Sequence, residues 1–241
     1  MANLLLFEPI SCTYTYIIGC RATNNAVIID PVLETYKRDA QLLHELGLEP
    51  LFVLDTHVHA DHYTGAGRLK TVFPKLKSVI SKNSGAEANV YVDDGEVVKF
   101  GQGEIEVRLT PGHTNGCATF VAHKLRKAFT GDALLFRGCG RTDFQEGNSR
   151  LLYESVHGKI LSLPDDYALH PGHDYKGHLH TTVGEEKKYN LRLTKKLEDF
   201  VVLMDNLNLA PPKMIGNAVP VNKAGGSLEV LSEIDKSRAN N

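Results

Sequence analysis

Short runs rich in Val, Ile, Thr, Tyr and Phe dominate the first two-thirds of the chain, each bounded by Gly, Asn, Asp or Pro. "TYTYIIGC" (13–20), "NAVIID" (25–30), "LFVLD" (51–55), "KSVIS" (77–81), "EVVKF" (96–100), "IEVRLT" (105–110), "ATFVA" (118–122) and "KAFTGDALLF" (127–136) read as β-strands. Branched and aromatic side chains fit a pleated, half-buried surface, and the flanking residues turn the chain. Helical spacing falls between these runs. In "ETYKRDAQLLHELG", Ala40, Leu43 and Leu46 share one face and Gly47 is a natural stop. "TGAGRLKTVF" (64–73) and "RLLYESVHGKILSL" (150–163) repeat the pattern. "LTKKLEDFVVLMDNL" carries Leu193, Leu197, Phe200, Val201, Met204 and Leu207 as an apolar stripe that stops before Pro211-Pro212. Such a stripe can dock a partner, but core packing is the commoner use. The elements predict an α/β protein with two sheets covered by helices on their outer faces. No repeat, low-complexity tract or long linker divides it, so we expect one domain over 1–241 with a short helical segment at about 185–210 packed on it.

Composition narrows the function classes. With 27 basic against 29 acidic residues there is no basic field for nucleic acid. Nothing approaches the run of about twenty apolar residues that spans a bilayer, so a soluble protein with no membrane partner is expected. The four cysteines, Cys12, Cys20, Cys117 and Cys139, form no CxxC pair, which suggests reduced thiols in an intracellular compartment. "MANLLLFEP" lacks a basic flank and the length of a signal peptide, and no arginine precedes Arg21, so no presequence is visible.

The chemistry is concentrated where apolar runs end. "DTHVHADHYTG" (55–65) places His57, His59, Asp61 and His62 directly after "LFVL". His113 in "LTPGHTNG", Asp132 in "FTGDALL" and His173 in "YALHPGHD" each follow another such run, in a turn rich in Gly or Pro. Rigid strands aim ligands accurately and the turns leave a coordination position open. Single histidines such as His44, His123, His157, His178 and His180 need no more than an ordinary packing or surface role. The concentration of seven imidazole and carboxylate groups at strand ends marks a metal site. "GCG" and "GAG" are too short and misplaced to be phosphate loops.

"THVHADH", "TPGHT", "TGDAL" and "PGHD", in this order, resemble the metal-binding signature of the metallo-β-lactamase superfamily. The resemblance implies a four-layer αββα sandwich with the metal in a cleft at one edge of the two sheets. Within that superfamily, "GDALLFRGCGRTDFQEG", "HDYKG", "TTVGEEKKYN", "NLNLAPPKM" and "AVPVN" look like the persulfide dioxygenases. That family implies oxidation of glutathione persulfide by O₂ and water to sulfite and glutathione, in sulfide catabolism, at one Fe(II) per chain. Carried onto this sequence, the iron ligands are His57, His113 and Asp132. Two imidazoles and a carboxylate on one face of an octahedral Fe(II) leave adjacent positions open for both reactants. His59, Asp61, His62 and His173 then orient the ligands and hold water, or survive from a second metal site. Arg141 is the candidate anchor for a substrate carboxylate, with a salt bridge to Asp143 or Glu146 as its plainer role. Tyr175 is a candidate hydrogen-bond donor near the metal, and Cys139 either lines the pocket or fills the core.

Two residues depart from the family pattern: Leu191 stands where proline is usual and Gly172 where alanine is commoner. The resemblance further implies a homodimer and the mitochondrial matrix, with the cytoplasm as the alternative. A glyoxalase II-type hydrolase of S-acyl glutathione, using all seven groups on two metals, is the alternative enzyme. A silent binding protein of the same fold would have lost ligands, and none is missing here.

Overall fold

Alternation along each strand decides which residues enter the centre of the molecule. The computed structural model describes residues 2–239. One sheet runs in the order β1 (Ala2–Glu8), β2 (Thr13–Gly19), β3 (Asn25–Ile29), β4 (Glu49–Leu54), β5 (Lys77–Ser81) and β6 (Val90–Val92). The other runs β12 (Thr181–Thr182), β11 (Ala168–Pro171), β10 (Lys127–Gly131), β9 (Ala118–Ala122), β8 (Gly103–Leu109) and β7 (Val97–Phe100). Each sheet is mixed. The β3, β4, β5 and β6 neighbours are parallel, as are β10 and β11, while the other pairs are antiparallel.

Tyr16, Ile18, Val27, Ile29 and Leu54 point from the first sheet into a core shared with Phe100, Ile105, Val107, Phe120 and Phe129 of the second. Their neighbours Ile17, Ala26, Ile28 and Val53 face outward, under α1 (Tyr36–Glu45) and α2 (Ala66–Val72), through Leu43, Leu69 and Phe73. On the far side Val121, Ala128 and Leu169 are covered by α3 (Ser149–Ser155), the π turn after it, α4 (Val183–Tyr189) and α5 (Leu197–Asp205). The layers are helix, sheet, sheet, helix, the αββα sandwich implied by the sequence motifs. Period two in the strands forces this arrangement, because both faces of each sheet are apolar.

The apolar stripe on α5 is core: Phe200 and Met204 are buried against the second sheet, with Leu193 just before the helix. Leu46 departs from the expected face and is 50% exposed. The helix ends at Glu45, and Gly47 turns the chain at φ +63°, which carries Leu46 out of the α1 stripe. Two helices not anticipated from spacing, α6 (Ile215–Lys223) and α7 (Leu228–Ala239), follow the Pro211-Pro212 break.

His170 is a polar residue in the apolar centre. Its ring stacks on Phe129 at 5.3 Å and meets Tyr16 edge-on at 5.4 Å, and neither nitrogen finds a partner among the described residues. Burial, with Lys127 and His180 nearby, depresses its pKa to about 3. An unfolded histidine titrates near 6.5, so between these values the unfolded chain binds the extra proton. Stability is therefore intact above about pH 6.5 and falls as pH drops below it, by up to roughly 1.4 kcal/mol per pH unit. His170→Phe should flatten that part of the stability curve, measured by urea unfolding between pH 4 and 7. An unchanged slope sinks the assignment.

Candidate metal centre

All seven groups singled out in the sequence converge on one edge of the sandwich, and they divide into layers. Ligand atoms of His57, His113 and Asp132 lie within 4.8 Å of one another. His57 stands in the loop after β4, His113 after β8 and Asp132 after β10, so both sheets contribute. The hydrogen bonds behind each ligand fix which atom faces inward. Arg141 O can only accept, so His113 Nδ1, 2.6 Å away, carries the proton. Its Nε2 faces Asp132 Oδ2 at 3.7 Å. Thr56 Oγ1 donates to Asp30 Oδ2 at 2.8 Å and therefore accepts from His57 Nδ1 at 3.0 Å, leaving His57 Nε2 unprotonated. Burial, with neighbouring imidazoles, keeps His57 well below the usual histidine range and so neutral. Burial alone would raise the Asp132 carboxyl, but His173, through its charge and its hydrogen bond, overcomes it and holds the group ionised. Two imidazoles and one carboxylate suit a divalent first-row metal.

His173 is committed elsewhere. Its Nδ1 lies 2.7 Å from Asp132 Oδ1 and its Nε2 2.8 Å from Asp61 Oδ2. Carboxylates only accept, so both ring nitrogens donate and no lone pair is left for a metal. Asp61 Oδ2 also accepts from His62 Nδ1 at 2.9 Å, and Asp30 Oδ1 from His59 Nε2 at 3.2 Å. His59 Nδ1 and His62 Nε2 are buried without partners among the described residues, and with Asp61 these residues form a second compact group. The structure thus retains part of a second set while His173, which would complete it, is held between two carboxylates.

The metal group opens into a cleft of about 350 Å³ lined by Leu135, Cys139, Arg141, His173, Tyr175 and Arg192, among others. A second chamber of about 560 Å³ adjoins it through Cys139, His173, Tyr175 and Arg192. Arg141 has little left for a ligand. It grips Asp143 through Nε and Nη2 at 2.7 Å each, and reaches Ala210 O at 2.6 Å and Leu209 O at 3.0 Å. The plainer expectation for this side chain fits the geometry. Cys139 both lines the cleft and is buried, with burial raising its thiol to about 11, so it stays protonated. Tyr175 is 73% exposed, its ring parallel to His173 at 6.3 Å, at the cleft wall. Leu191, the exposed residue at the family's proline position, lines the outer chamber. A methyl group on Gly172 would stand 2.8 Å from Asp132 Oδ1, so alanine there requires the carboxylate to give.

Sequence reading missed Asp30, Thr56 and Arg192. Asp30 and Thr56 have a recoverable cue, since both flank a strand end ("IIDP", "LDTH"). Arg192 has none, because only the fold returns it to the cleft. Among the described residues no helix is long and apolar enough to cross a membrane, and all four cysteines are free.

The profile of the metallo-beta-lactamase superfamily matches residues 11–173. The mitochondrial persulfide dioxygenase ETHE1 of Homo sapiens is 54% identical over 221 residues, 92% of this chain and 87% of that protein. The crystal structure of ETHE1 from Myxococcus xanthus superposes with a TM-score of 0.91 at 48% identity, covering 94% of this chain and 100% of that one. The hydroxyacylglutathione hydrolase GloC of Haemophilus influenzae is more distant, 34% identical over 71% of this chain and 89% of its own. The chain belongs to the metallo-beta-lactamase superfamily, and within it to the persulfide dioxygenases.

Proposed function

We propose that this protein oxidises glutathione persulfide with O₂ and water to glutathione and sulfite, at a single Fe(II) held by His57, His113 and Asp132. In the balanced reaction the S–S bond breaks, the electrons lost by the terminal sulfur reduce O₂, and the third oxygen atom of sulfite comes from water. Two protons are released. The iron, when bound, supplies the one-electron steps through which O₂ can react. The observation that carries the single-metal reading is His173, whose two ring nitrogens are spent on Asp132 and Asp61. A hydrolase of this fold needs that residue free, to help hold the metal that makes hydroxide near pH 7. The protein's own residues supply the rest: Thr56 and the Arg141 carbonyl hold the imidazoles in one tautomer, and His173 keeps Asp132 charged and aimed. Protein purified without oxygen should contain about one iron per chain and consume O₂ with glutathione persulfide, forming sulfite. Two zinc-like ions, no O₂ uptake and thioester hydrolysis would return it to the hydrolases.

Arg192 is the better substrate anchor. It lies between the two chambers, gives Nη1 to Cys139 O at 2.8 Å, and has no carboxylate partner among the described residues. Its remaining donors match the two-pronged demand of a glutathione carboxylate. Arg192→Ala should raise KM at least about tenfold, since hydrogen bonds to charged groups contribute roughly 1.5–3 kcal/mol, with iron content unchanged. Initial-rate O₂ uptake checks this, and an unaltered KM removes Arg192 from the substrate site. The mitochondrial location of the named relatives supports a matrix enzyme, with the cytoplasm as the alternative.

A further inference from the structure

The loop from Asp55 to Gly65 that carries four of the seven groups has almost no regular structure of its own. Its backbone carbonyls therefore need partners from elsewhere. Val58 O takes one from Gln145 Nε2 at 2.8 Å. Thr56 O and Tyr63 O take theirs from Ala118 N and Leu33 N, and two more, His59 O and His62 O, are met by one side chain about 160 residues away in sequence. Asn222, on α6 and 5% exposed, gives its amide NH₂ to His59 O at 2.9 Å and His62 O at 2.8 Å, and accepts from Thr64 N at 2.9 Å through Oδ1. The orientation of that amide is fixed by chemistry, because two carbonyls need donors and one N–H needs an acceptor.

Three further contacts hold α6 and the turn after it in place behind the loop. Tyr63 of the loop packs among Ala218, Val221 and Leu231. Glu87 N donates to Lys223 O at 2.7 Å. Gly67, at the start of α2, leaves no space for a side chain: a Cβ there would fall 2.0 Å from Gly226 O. The C-terminal segment is thus seated on the back of the metal-binding loop, and Asn222 is where it grips.

We infer that Asn222 is a positioning residue for the metal centre, setting the path of the 57–62 backbone and hence the retention and geometry of the bound ion. It touches neither substrate nor metal. The inference rests on the metal reading above, and the experiment separates the two. Asn222→Asp keeps the size and the Oδ1 contact to Thr64 but sets an oxygen against two carbonyl oxygens; Asn222→Ala removes all three bonds. Val221→Ala, which loosens the packing of α6 without touching the loop carbonyls, is the control.

The readouts are the rate at which a chelator strips Co(II), the visible spectrum of the Co(II) form, and the melting temperature at saturating metal. Loss of residues that orient ligands commonly costs about 10–100-fold in metal affinity. Both Asn222 variants should release Co(II) at least about tenfold faster than wild type and shift its absorption bands, while Val221→Ala lowers the melting temperature but leaves the bands in place. The inference is overturned if Asn222→Asp matches wild type, or if Val221→Ala releases metal equally fast at an equal loss of melting temperature. Wild-type protein that takes up no metal would overturn the metal reading itself.

Discussion

Asp132→Ala protein is expected to leave purification without iron and to consume no O₂. Asp132 is the only carboxylate in the group formed with His57 and His113, and its two oxygens have separate tasks. Oδ2 faces His113 Nε2, while Oδ1 anchors His173. Removing the side chain deletes a proposed ligand and leaves the His173 ring, which donates from both nitrogens, facing a gap on one side. The loss should exceed the roughly 10–100-fold typical when only a residue behind a ligand is changed. His113→Ala should behave alike, because its Nε2 is aimed by a single bond to the Arg141 carbonyl. Iron per chain after anaerobic purification, with O₂ uptake on the same sample, checks both variants. Iron retained at full occupancy in Asp132→Ala would mean that the ion sits in the His59, Asp61 and His62 group, and the ligand assignment would fail.

The proposed ligands were legible in the sequence for a physical reason. Each stands where an apolar run meets a turn, and in this fold those turns gather at one sheet edge, so order along the chain became proximity in space. The eight apolar runs correspond to strands, although "KAFTGDALLF" yields strand only from Lys127 to Gly131 before the chain turns to present Asp132. What local pattern could not reveal depends on distant partners. β1 has no clear period of two and is fixed by its ladder with β2. β12, two residues long, exists only because β11 lies beside it. Asn222 sits in a helix with Pro220 inside it and only a weakly one-sided apolar pattern, so nothing near it in sequence announces that its amide meets His59 and His62. Arg141 illustrates the opposite case. Its residue type and position suit a substrate anchor, but Asp143 and the carbonyls of Leu209 and Ala210 use its donors, while Arg192, among the described residues, meets no carboxylate at the cleft.

His173→Ala is expected to weaken metal binding about 10–100-fold while leaving one iron per chain at saturation. The argument turns on where its protons go. His173 is buried and holds two carboxylates together, Asp132 of the proposed ligand group and Asp61 of the group formed with His59 and His62. Burial alone would lower its pKa, but Asp132 and Asp61 raise it well above the ordinary value, so it is charged throughout the neutral range. Without it, Asp132 loses the bond that orients its outer oxygen and the cation that compensates its burial. Asp61 keeps His62 as a donor, so the disturbance falls mainly on the metal side. His62→Ala, lying one step further out, should lower activity but leave much of the iron. Iron titration of both variants, with kcat expressed per bound iron, distinguishes this from a two-metal centre. There, either substitution would remove a second equivalent of metal from protein that had held two, and the hydrogen bonds of His173 would have to give way to coordination.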